Sequence, residues 1–187
     1  MKNLSKNEKI AYAAKRKQQI FELAIFPMLG AIMFCSKLLM EFLPNIHIIG
    51  MLVMLYTIVF SWKALSPRYI FVFLMGIYAG FGFWWLPYLY IWTILWAVTM
   101  LLPKNMPLAA TLVVYPIVCG LHGFLYGVLY APAQALMFGF DFEMTCAWIA
   151  SGLYFDILHG IGNIIFGTFI YPLSALIKKI LKKQINA

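Results

Sequence analysis

The chain has 187 residues, of which 64% are hydrophobic, 18% aromatic and only 11% charged, with a mean hydropathy of +0.89. So little polar surface excludes a water-soluble globule of this length, because its exterior could not be coated. The net charge of +8 does not argue for nucleic acid, since the cations lie in short tracts beside apolar runs, where they orient a chain against an anionic leaflet.

Residues 1–19 carry Lys2, Lys6, Lys9, Lys15, Arg16 and Lys17 and read as a basic cytoplasmic segment, a short interfacial or frayed helix. The apolar run behind them is too long for a signal-peptide core and ends in no small-x-small cleavage site, so the segment is expected to stay attached. Spans of about 20 apolar residues are then sought. The first is expected from Ile20 to Leu43, with an outer turn at Pro44 and Asn45. The second runs from Ile46 to Phe60 and ends at an inner loop holding Lys63, Pro67 and Arg68. A third covers Tyr69 to Phe83, and Trp84, Trp85, Pro87 and Tyr88 form an outer junction of the aromatics that favour interfaces. The fourth returns from Leu89 to Leu102 and stops at an inner loop with two breakers, Pro103 and Pro107. The fifth climbs from Leu108 to Tyr130, followed by an outer connection from Ala131 to Glu143 whose only charges are Asp141 and Glu143. The last spans Met144 to Leu176 and enters Lys178, Lys179, Lys182 and Lys183. It exceeds a bilayer's needs, which implies tilt, a break near Gly160 and Gly162, or a cytoplasmic extension.

Threaded this way, thirteen of the fourteen Lys and Arg residues lie on one side. The expected fold is all-α and polytopic: six transmembrane helices over residues 20–177, a basic tail over 178–187, and both termini in the cytoplasm.

The fourteenth cation, Lys37, lies near the outer end of the first helix, four residues before Glu41, so the two are expected to pair. A charge at this depth either marks a polar pathway or snorkels to the outer headgroups. Asp156, His159 and Asn163 share one face of the last helix, and His122, Tyr126 and Tyr130 one face of the fifth. Two polar stripes on consecutive helices suggest a shared cavity, although polar side chains also glue helices together in lipid. For Asp156 the functional reading is favoured, because a carboxylate is costly glue. The outer aromatics from Phe81 to Trp92, with Gln134, offer flat faces and an amide to a ring-shaped ligand.

No P-loop, GxSxG elbow or HExxH helix is present, which argues against a self-contained ATPase and the most recognisable hydrolases. His47, His122 and His159 are expected at depths too different for an axial haem pair. Cys35, Cys119 and Cys146 stand alone without metal-ligand spacing, and neither a metal nor another cofactor is expected. A small membrane chain with an outward-biased polar pocket and no engine suits a substrate-capturing subunit.

Over nearly its whole length the chain resembles the S components of energy-coupling factor (ECF) transporters. The six-helix layout carries the likeness, together with the stretches Leu29 to Glu41 (LGAIMFCSKLLME) and Tyr130 to Leu136 (YAPAQAL). The resemblance implies a non-enzymatic, multi-pass protein of a bacterial plasma membrane. It would bind a vitamin-like small molecule from outside and work with a membrane-embedded T component and two cytoplasmic ATPases. It also implies that the outer loops around Glu41 to His47, Phe81 to Tyr90 and Tyr130 to Glu143 close over the ligand. The substrate-binding set is then Lys37, Glu41, Asn45, Trp84, Trp85, Tyr88, His122, Tyr126, Tyr130, Gln134, Asp156, His159 and Asn163. Family members commonly dock through an Ala-x-x-x-Ala pattern in the first helix; this chain has Pro27, Ala31 and Cys35 at that spacing, a ridge that allows close approach. Many aromatics and few opposing charges favour a flat neutral ring such as a pyridine or pyrimidine, with Lys37 left open to a carboxylate. The competing readings are an intramembrane enzyme using Asp156 and His159 as acid and base, and a stand-alone carrier or channel.

Overall fold

A computed structural model describes residues 5–185. Lys2 of the basic leader and residues 186 and 187 of the tail lie outside the described residues. Eight α-helices and no strand are found among the described residues: α1 Lys6–Leu39, α2 Ile49–Phe60, α3 Leu65–Ala79, α4 Tyr88–Leu101, α5 Leu108–Phe124, α6 Tyr126–Phe138, α7 Phe142–Gly167 and α8 Ile170–Ile185. Taken with their continuations, five helical stretches are long and apolar enough to cross a membrane: Lys6–Leu39, Ile49–Ala79, Phe83–Leu101, Leu108–Phe138 and Phe142–Gly167. Large apolar side chains such as Leu23, Ile32, Phe73, Ile117, Leu121, Leu153 and Ile165 are exposed on the outside of the bundle, as a lipid solvent requires and water would punish.

Helix α1 has 34 residues and is therefore about 51 Å long, well beyond a hydrocarbon core of about 30 Å. The basic leader is continuous with it, without a break at residue 19. A capping box starts the helix: Glu8 N–H donates to Ser5 Oγ at 3.3 Å, and Ser5 N–H donates to the Glu8 carboxylate at 2.7 Å. Halfway along, Glu22 pairs with Lys63 in the short turn after α2, which fixes the first half of α1 and the α2–α3 turn at one end of the bundle. At that end too, Trp96 Nε1 near the end of α4 donates to the Ser61 carbonyl at 3.3 Å.

Prolines mark two of the helix breaks. Continuing α2 through the turn would require Pro67 to bond the Lys63 carbonyl, and continuing α7 would require Pro172 to bond that of Thr168. Helix α7 stops just before its conflict, whereas α2 ends earlier, at Ser61 with φ +55°; in both cases the chain restarts with the proline in the first turn of the next helix, where its missing N–H is harmless. The break expected near Gly160 and Gly162 therefore falls instead at Thr168 and Phe169, and the excess length becomes α8. This helix is amphipathic: Ile170 and Ser174 are buried, while Lys178, Lys179, Lys182 and Lys183 are exposed.

The core centres on α2, whose residues from Ile49 to Thr57 are all buried. Met33 of α1, Phe71 of α3, Trp92 and Leu95 of α4, Cys119 of α5 and Ile170 of α8 close around it. A further correction concerns residues 131–143. The expected outer connection is instead mostly helix α6, and only Gly139 to Asp141 separate it from α7. Gly139 has φ +69°, a conformation glycine adopts without strain, and the Asp141 carboxylate accepts from Met144 N–H at 2.8 Å to cap α7.

Candidate functional site

Helices α5 and α6 run antiparallel to α7 as a tight hairpin made possible by small residues. A Cβ placed on Gly123 would lie 2.8 Å from the Gly160 Cα, and one placed on Gly167 would lie 2.7 Å from the Pro116 Cα. This closeness brings Asp156 of α7 against the point where α5 becomes α6. Its two carboxylate oxygens accept the Gly127 backbone N–H at 3.1 and 3.0 Å. In an unbroken helix that amide would bond the Gly123 carbonyl, so Asp156 supplies the acceptor that the buried amide would otherwise lack at the start of α6. A negative group at a helix N-terminus also meets the favourable end of the helix dipole. The carboxylate thus has structural work that its sequence position alone does not reveal.

Beside Asp156 an open cavity of about 360 Å³ forms. Tyr126, Gly127 and Tyr130 of α6 make one wall, and Trp148, Ile149, Gly152, Phe155 and Asp156 of α7 make the other. Asn45, in the connection before α2 and with φ +53°, completes the lining. The Tyr130 and Trp148 rings stack at 5.7 Å with only 24° between their planes. The volume falls in the range of small-molecule sites. Trp148, Gly152 and Phe155 escaped the sequence reading, though the four-residue spacing from Trp148 through Gly152 to Asp156 extends the polar stripe along one helix face.

Below the cavity lies a cluster of buried polar rings. The His47 and His159 centroids are 4.8 Å apart, His47 and Trp92 5.9 Å, Trp92 and His122 5.4 Å, and Tyr126 and His159 4.9 Å. This corrects the expectation that the three histidines occupy different depths: the turn from Met40 to Ile48 folds inward and buries His47 against α7. Asn163 completes the cluster, donating through Nδ2 to the Cys119 carbonyl at 3.2 Å. Among the described residues no group of His, Cys, Asp and Glu is placed to share a metal ion.

The remaining candidates are spread more widely. Lys37 makes no ion pair with Glu41, because α1 ends at Leu39 and the i,i+4 geometry is lost in the turn; Lys37 is half-buried and Glu41 exposed. Trp84 and Trp85 do not line the cavity. Trp85 Nε1 donates to the Val72 carbonyl at 2.7 Å and its ring packs under Gly76, so it braces α3 against α4. Trp84 offers its carbonyl to the Tyr130 hydroxyl at 3.0 Å, which steadies one wall of the cavity from outside. Tyr88 packs between Trp84 and Trp92. Gln134 is half-buried on α6, away from the lining. Pro27 and Cys35 of α1 are exposed and Ala31 is half-buried, while Gly30 meets Ile70 of α3. Replacing Trp85 by Phe is expected to cost about 1 kcal/mol of stability through its lost hydrogen bond and to leave any ligand affinity unchanged; denaturation and binding measured on one purified sample check both.

Compared with protein-family models, with curated proteins and with solved structures, the chain shows no match.

Proposed function

We propose that this chain is the substrate-binding S component of an ECF-type importer, with six membrane crossings and both ends in the cytoplasm of a bacterial cell. It captures a small vitamin or vitamin precursor, with a pyridine or pyrimidine ring, at the outer face. Delivery follows from association with a T component and two ATPases, since the chain has no nucleotide-binding loop of its own. The observation that carries this reading is the cavity between α6 and α7, which lies toward the end of the bundle away from Lys63 and the lysines of α8. Largely apolar, aromatic walls suit the faces of a flat ring. The ridge of Pro27, Ala31 and Cys35 faces away from the bundle, where another membrane helix can approach closely. For the competing acid–base enzyme, Asp156 is poorly available, because both its oxygens are engaged by the Gly127 amide.

The test is affinity purification of the tagged full chain from membranes of its native host. Retention of one polytopic membrane protein and two ATPases is expected. Purification alone, with ligand uptake by vesicles holding only this chain, would replace the reading with that of an autonomous carrier.

A further inference from the structure

One side chain, Tyr126, borders both the cavity and the ring cluster. Tyr126 lines the cavity, and its ring also packs on Trp92, His122 and His159, with centroids at 5.7, 6.2 and 4.9 Å. Behind it, Trp92 Nε1, His122 Nδ1, His47 Nδ1, His159 Nε2 and Asn163 Oδ1 are buried without a hydrogen-bond partner in the chain. Trp92 is only 1% exposed and His122 6%. An unpaired buried polar atom costs roughly 1–3 kcal/mol, and native proteins keep few of them. Three of the five belong to rings packed on Tyr126, Trp92, His122 and His159, and this concentration marks a place prepared for polar atoms from outside the chain.

The chemistry of two of these atoms is fixed. An indole N–H only donates. His122 Nε2 lies 3.1 Å from the Ile91 carbonyl, which only accepts, so Nε2 carries the proton and Nδ1 of the neutral ring is an acceptor. The two rings are 5.4 Å apart and tilted by 35°, which brings this donor and this acceptor within reach of one small molecule. The cluster residues His47, Trp92, His122, Tyr126, His159 and Asn163 include no carboxylate, lysine or arginine; the nearest cation, Lys37 of α1, lies within electrostatic reach of His47 and His159 but not of the Trp92–His122 pair.

Resting on the capture role proposed above, we propose that the ligand displaces the Tyr126 ring and seats an uncharged heteroaromatic ring on the histidine cluster, presenting an acceptor to Trp92 Nε1 and a donor to His122 Nδ1. Tyr126 is then a movable partition: it closes the cluster when the site is empty and packs against the ligand when it is filled. An aminopyrimidine or a pyridine carboxamide carries both functions on one small frame. A pyridine carboxylate lacks the donor that His122 Nδ1 needs.

The test uses the detergent-purified full chain with 4-aminopyrimidine, nicotinamide and nicotinate as probes, read by equilibrium dialysis and thermal shift. At least one of the two neutral probes is expected to bind, and nicotinate at least about tenfold more weakly, the scale of one buried hydrogen bond. Trp92→Phe should weaken the neutral probe about tenfold through loss of the donor, and should lower the melting temperature of the empty chain, because a smaller ring leaves a void where an indole only 1% exposed was packed. Trp96→Phe, one helical turn beyond Trp92, loses a bond to the Ser61 carbonyl and no atom of the cluster, and should leave probe binding unchanged. The proposal is overturned if none of the probes binds, if nicotinate binds as well as the neutral pair, or if Trp92→Phe retains full affinity. Should that variant not fold, the probe selectivity of the unaltered chain decides alone. A chain that keeps its partners and a native ligand, yet takes up none of these probes, loses the ring assignment and retains the capture role; a chain without partners loses the capture role itself.

Discussion

Replacing Asp156 by alanine is expected to lower the stability of the folded chain by about 1–3 kcal/mol, the cost of leaving the buried Gly127 amide without an acceptor. The effect should reach beyond one bond. The capped turn is where α5 gives way to α6, and Tyr126, the residue before Gly127, forms part of the cavity wall. Loss of the cap therefore also displaces the wall, and ligand affinity should fall with stability. Asp156→Asn keeps an acceptor oxygen in the same position and should recover most of both. Thermal unfolding of the two variants in detergent, beside the unaltered chain, checks the sequence of effects. If alanine melts with the unaltered chain, Asp156 does not hold the turn.

The second large effect is expected at Gly123. A methyl group there meets the Gly160 Cα at 2.8 Å, the Gly160 N at 2.9 Å and Asn163 Nδ2 at 2.9 Å. Two of these atoms are backbone and have nowhere to go, so α5 and α7 must separate. Overpacking of this kind costs about 1–3 kcal/mol, and separation would also pull Asp156 from Gly127. Gly160→Ala makes a useful contrast, because its methyl group meets the Phe124 ring and no backbone atom among its nearest neighbours; that ring must shift as a whole, but it can change rotamer where backbone cannot. Gly123→Ala is expected to melt well below Gly160→Ala, and the reverse order would show that the hairpin is not held at its glycines.

Much of this architecture was legible in the sequence, and the exceptions share a cause. Hydropathy located the apolar runs, and the proline positions explain where α3 and α8 begin. The break at Leu125 has no such local signature: Pro116 and Pro132 flank it without setting it, and the group that stabilises it, Asp156, sits some thirty residues later on another helix. The Lys37–Glu41 pair failed for a related reason. Spacing predicts a contact only while the helix continues, and α1 stops two residues too soon. For the site, the polar stripes on the fifth and last helices did mark the cavity wall and the ring cluster. His47 could not be placed from sequence, because its burial depends on how an irregular turn folds back. Trp85 misled because an interfacial tryptophan and a bracing tryptophan have the same composition around them; only the carbonyl of Val72 tells them apart.

The central claim is that the cavity beside Asp156 holds a small molecule, and Gly152 provides the most direct measurement. It lines the cavity, and a Cβ built on it meets no atom within 4 Å, so Gly152→Leu should fill the space without disturbing the fold. Native mass spectrometry of the two detergent-purified proteins is expected to show a bound small molecule on the unaltered chain and none on Gly152→Leu, at equal melting temperatures. An unaltered chain that carries nothing, or a Gly152→Leu chain that carries the same mass, would contradict the account.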